Sequence, residues 1–248
     1  MTSQPFPLFR LGRTKMQIRS TIVIALACLS QAAGVSVAFG QEKETKATPP
    51  EAPVGFVLVE EDQWHVMADE PDRHISRARE AFLMADAKTA AAELRKVAVH
   101  LRIASAHASE RVKRGLAHSE HELTTLARHI ESGAVKSVEE VDAANARALH
   151  ALADYQYVKA ADAWRKKETR VSGQYLRAAA DNLERASART DARMRAATTE
   201  IAKETRLISS KLIAGTGYVI DEIGAGLETV GHEIERVGTR VAPAKTVK

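Results

Sequence analysis

Cysteine is nearly missing from this chain: Cys28 is the only one in 248 residues. It lies in an apolar run near the start, and cleavage near Gly40 leaves a mature chain with no thiol at all. Disulfides, thiol nucleophiles and cysteine-based metal sites are then excluded together. Proline is confined to the two ends, with none between Pro71 and Pro243. Turn-rich mixed folds use proline freely, whereas a helix interior loses about 3 kcal/mol for each one. The gap predicts long helices. Aromatic residues make up only 4% of the chain, so Ala, Val, Leu and Ile build the core, which suits narrow seams between helices.

An excess of one charge is also missing from the body of the chain. Arg10, Arg13, Lys15 and Arg19 are the only charged residues in the first forty positions. Without those four, the 36 basic residues fall to 32, equal to the 32 acidic ones. The net charge of +4 therefore belongs to the N-terminal segment, and the balanced remainder excludes a nucleic-acid partner. A membrane-length hydrophobic run is absent too, because the apolar stretch at 21–29 is too short to span a bilayer.

What is present begins with a leader. The basic stretch at 10–19, the apolar run and the small-x-small site Ala38-Phe39-Gly40 predict a secretory signal over residues 1–40. Met16-Gln-Ile-Arg19 supplies a second, more compact start. A periplasmic or secreted protein is expected. Ala25-Leu26-Ala27-Cys28 resembles a bacterial lipoprotein box, so a lipid anchor on Cys28 is the competing expectation.

Residues 41–53 read as a charged, proline-rich linker. Residues 54–71 read as a short extended arm, with Val54-Gly-Phe-Val-Leu-Val59 at its head and Trp64 and Met67 as anchors. Residues 72–214 carry helical apolar spacing and predict an elongated antiparallel bundle of four to five long helices, an all-α fold. The first helix opens at Asp69-Glu-Pro71-Asp72 and ends at 87–88, where Thr89 caps the next. The second runs to Gly133 through Leu94, Val97, Leu101, Leu116, Leu123 and Ile130. The third opens on Ser137-Val-Glu-Glu140, a capping-box match. Ser172-Gly173 marks a break, and a fourth helix runs from Leu176 to Leu212.

Residues 215–248 form a C-terminal amphipathic helix and tail with a heptad of glycine. Gly217, Gly224, Gly231 and Gly238 recur every seven positions. Ile220, Leu227, Ile234 and Val241 share the register, as do Ile223, Val230 and Val237. Each glycine costs about 1 kcal/mol relative to alanine in a helix interior. Close approach of another helix offsets such a loss, since a missing Cβ brings the axes together. That neighbour is either the bundle itself, a protein partner or the same helix of a second copy. A membrane surface is a further expectation, opposed by Asp221, Glu222, Glu228, Glu233 and Glu235. The helix is too polar for a membrane span.

Five of the nine histidines, His100, His107, His118, His121 and His129, fall on the second helix. On one continuous helix, His107, His118 and His129 lie within about 20° of His100. His118 with His121 or Glu122 has the i, i+3 or i, i+4 spacing that chelates Zn²⁺ or Cu²⁺. The stripe is alternatively a pH-responsive face or a solvated one, and Arg111 and Arg114 oppose a bound cation. No histidine has Glu three positions before it, which disfavours a di-metal bundle enzyme, and there is no Gly-x-Ser-x-Gly elbow. With no catalytic residue and no cofactor indicated, the expected role is an exported, non-catalytic binding or scaffold module, one suited to envelope stress. The alternatives are a metal-binding or pH-responsive protein and a membrane-associated lipoprotein adaptor.

Overall fold

The computed structural model describes residues 70–188 and 190–242, all within one compact unit. The expected signal, linker and nearly all of the extended arm lie outside the described residues. Those described form an all-α bundle of seven helices. They are α1 (Glu70–Leu83), α2 (Ala87–Ala106), α3 (Glu110–Glu131), α4 (Val138–Arg165), α5 (Thr169–Ser187), α6 (Ala192–Ala214) and α7 (Ile220–Val241).

The class agrees with the sequence, but two expected helices divide. The second breaks at 107–109 into α2 and α3, and the fourth breaks at 188–191 into α5 and α6. As one rod the second helix would extend roughly 65 Å at 1.5 Å per residue, well past its neighbours. Folding it back sets Leu94, Val97 and Leu101 in one core with Leu116, Leu123 and Ile130. Ser109 stands at the start of α3 in extended conformation, followed by Glu110 in the first turn. Asp191 accepts a hydrogen bond from the Met194 amide at 2.9 Å and so caps α6.

Local signals also shift by a few residues. α1 stops at Leu83, and the cap of α2 is Asp86, whose carboxylate accepts from the Thr89 amide at 3.0 Å. The expected capping box at Ser137 is not made, because the Ser137 side chain makes no capping bond. Gly133 closes α3 in the left-handed region, with φ of 67°. Ser172-Gly173 lies inside α5 and the chain turns earlier, at 166–168. There the Ser172 hydroxyl donates to the Ala160 carbonyl at 2.9 Å. A Cβ on Gly173 would stand 2.7 Å from the Ser209 carbonyl oxygen and 2.9 Å from Leu212 Cβ. Gly173 is therefore the contact point at which α5 and α6 touch through backbone.

α4 is the central element and packs against α1, α2, α3, α5 and α7. Its 28 residues bury Ala144, Ala146, Ala148, Ala151, Ala153 and Ala160 around Leu149 and Leu152. Small side chains on several faces let five neighbours approach one rod. α7 lies on α4, α5 and α6. Among the described residues, no helix is long and apolar enough to cross a membrane.

Candidate functional site

Arg147 projects from the alanine-rich middle of α4, and three open clefts meet at it. The first, about 480 Å³, lies between Arg79 of α1, Glu139 and Asp142 of α4, and Arg240 of α7. The second, about 190 Å³, is bounded by Arg111 and His118 of α3, His150 and Asp154 of α4, and Gly238 of α7. The third, about 530 Å³, is lined by His118, His121, His129 and Glu122 of α3 and by Glu140 of α4.

The guanidinium ties three helices together. Arg147 Nε donates to both Glu122 oxygens at 2.9 and 3.0 Å, and Nη1 donates to the Val241 carbonyl at 3.2 Å. A cation on the last carbonyls of α7 suits the negative end of that helix's dipole. One turn further along α4, His150 Nε2 meets the Ile234 carbonyl at 2.8 Å. Arg111 holds Asp154 at 2.7 Å and Arg79 holds Asp142 at 2.9 Å. Burial pushes the Asp154 carboxyl above its ordinary range, against the pull of Arg111 and His150. Burial likewise raises the Tyr157 hydroxyl.

The expected histidine stripe is divided between two places. His118, His121 and His129 do share the third cleft, whereas His107 ends α2 and His100 faces α1. The His100 ring lies 6.0 Å from that of His74, whose Nδ1 is 2.6 Å from Glu93 Oε2. Burial, then the nearby His74, push the His100 imidazole below its usual value. Glu122 is engaged by Arg147 rather than open to a metal alongside His118 and His121. Among the described residues, no three His, Cys, Asp or Glu side chains gather to hold a metal ion.

The heptad seam is used inside the chain, and only part of the expected set takes part. Ile223, Leu227, Val230, Ile234 and Val237 are buried. Ile220 is 70% exposed, and Gly217 precedes the helix with φ of 76°. Gly224 faces open space, so no helix approaches there. A Cβ on Gly231 would stand 2.7 Å from the Tyr157 hydroxyl, and one on Gly238 would stand 2.7 Å from His150 Nε2. These two glycines admit the polar tips of α4 side chains. No family model, curated protein or solved structure matches this chain.

Sequence reasoning missed Arg147, His150 and Glu233. Arg147 looks like one more charge on a helix surface, and only its place among alanines (Ala143 to Ala148) marks it out. Glu233 reads as a solvent-facing acid of α7 but is 2% exposed. It accepts from the Thr198 hydroxyl and pairs with Arg236 at 2.5 Å.

Proposed function

We propose that this chain is an exported, non-catalytic helical binding protein, and that the clefts around Arg147 hold a protein partner. The convergence of three open clefts on one residue that already ties α3, α4 and α7 carries this reading. Three pairs of ionisable groups there join helices, Arg147 with Glu122, Arg79 with Asp142 and Arg111 with Asp154. Such pairs fix helix register and present a firm surface, whereas a catalytic acid or base keeps a free position toward its substrate. Small side chains such as Ala143 floor two of the clefts, which suits a polypeptide laid across them.

A photo-crosslinking residue at Ala143 and a control at exposed Lys203 on α6 test this reading in the cell of origin. A discrete protein adduct is expected from position 143 and not from 203; equal labelling at both positions overturns it. Mass measurement of the chain from the envelope fraction tests export in parallel. Cleavage near Gly40 supports it, a lipid on Cys28 favours the anchored alternative, and an uncut cytoplasmic chain refutes it.

A further inference from the structure

A fourth cleft, which Arg147 does not line, lies between α1, α4 and the end of α5 and encloses about 190 Å³. Four residues of α4 line it, Asp142, Asn145, Ala146 and Leu149, the i, i+3, i+4, i+7 stripe of one helix face. Ile75, Ala146 and Leu149 are buried and make its walls apolar. Arg185 faces Asp72 at 3.4 Å and Arg79 holds Asp142 at 2.9 Å. Both arginines are partly exposed, whereas Asn145 is 3% exposed. Charge therefore stands at the rim and a neutral amide lies deep.

Neither Nδ2 nor Oδ1 of Asn145 has a hydrogen-bond partner among the described residues. Asn182 of α5, equally buried, donates to Gln156 at 2.8 Å. A buried amide with neither half paired is unfavourable, because folding strips its hydration without replacing it. The cleft volume limits what can replace it. One water takes up about 30 Å³ of liquid, well short of this space. A drug-sized ligand needs about 300 Å³ or more, well beyond it. The fit is to a group the size of one side chain.

We propose that this cleft binds a small primary carboxamide paired with the amide of Asn145, its aliphatic stem lying between Ile75 and Leu149. An asparagine side chain sets a donor and an acceptor side by side. A carboxylate brings only acceptors and an ammonium only donors, so each leaves one half of Asn145 unpaired. A trans peptide group points its N–H and C=O in opposite directions. A primary carboxamide carries both on one edge and closes two hydrogen bonds at once. Each rim ion pair is neutral as a whole, so no net charge favours an ionic head, and the apolar walls suit a short alkyl stem. The head comes either from a free amide such as glutamine or from a glutamine side chain of a peptide. Binding here is independent of what the clefts at Arg147 hold.

Titration of butanamide into the nitrogen-labelled full chain, followed by nuclear magnetic resonance, tests this site. The side-chain NH₂ pair of Asn145 is identified as the one missing from Asn145→Leu. Saturable shifts of that pair are expected, with Overhauser contacts from butanamide to the Ile75 and Leu149 methyl groups. Butanoate should bind at least tenfold more weakly, because a site built on a hydrogen-bonding pair rejects the analogue that lacks one partner. Asn145→Leu should keep its helical circular dichroism and lose saturable binding, and Asn145→Asp should lose it at neutral pH. Free glutamine and glycyl-glutaminyl-glycine separate the sources: shifts with the amino acid alone assign a free amide, and shifts with the tripeptide assign a peptide side chain. Four results overturn the site: no saturable shift of the Asn145 pair, equal responses to butanamide and butanoate, unchanged binding in Asn145→Leu, or a water contact to Asn145 that butanamide does not displace, which assigns the amide to buried solvent.

Discussion

Gly173 and Gly224 lie inside helices, yet the absent Cβ matters at only one of them. At Gly173 a methyl group would meet the Ser209 carbonyl and Leu212 on α6, and backbone there has no rotamer to yield. Gly173→Ala is expected to lower stability by about 1–3 kcal/mol through overpacking. Gly224 meets open space, so Gly224→Ala should raise stability by about 1 kcal/mol by helix propensity alone. Urea denaturation of both variants checks the pair, and equal effects would contradict this placement of α6 and α7. A third residue-scale expectation concerns acid. The His100 imidazole is held below its ordinary value by burial and by His74. The unfolded chain therefore binds the extra proton more readily, and stability rises with pH across the interval between the folded value and about 6.5. The contribution is complete above about 6.5 and is lost as pH falls through the folded value. His100→Gln should flatten that part of the melting-temperature profile relative to the parent.

At the scale of elements, the legible features were those with a chemical marker in the chain. The proline-free interval announced helices, Gly133 announced an end, and the heptad announced the buried face of α7. The breaks at 107–109 and 188–191 carry neither glycine nor proline. Asp191 caps the helix after the second break, while Ser109 stands before α3 without a side-chain capping bond; both residue types also occur on helix surfaces, so only the packed core decides between a turn and a continuous rod. The heptad was legible as a period, but which glycine meets a neighbour depends on where Tyr157 and His150 of α4 lie. Arg147 was illegible for the same reason, since its partners Glu122 and Val241 come from helices far apart in sequence. Arg147→Met removes charge-assisted bonds to two helices and should cost about 1.5–3 kcal/mol. Cleavage of α7 by protease in the native state should become faster in the same variant; an unchanged rate would mean that the clamp does not hold the helix.

For the whole molecule, the seam of α7 serves cohesion within one chain. Ile223 is fully buried against the bundle, so Ile223→Ala should cost about 2–5 kcal/mol. Its sedimentation mass should match the parent's. A mass that drops with the variant would instead place this seam between copies. The histidines divide along similar lines, since His74 and His100 sit at the α1–α2 contact while His118, His121 and His129 face a cleft. A single stripe drawn on an unbroken helix could not show that division.

Because α7 is synthesised after α4, Arg147 and His150 have no Val241 or Ile234 carbonyl to bind until residues 220–241 have been made. A chain cut short before residue 220 leaves Tyr157 and the central rod bare on that flank. The grip on α7 thus closes only after the central rod exists, so the order of synthesis leaves α4 waiting for the partner that seals this side.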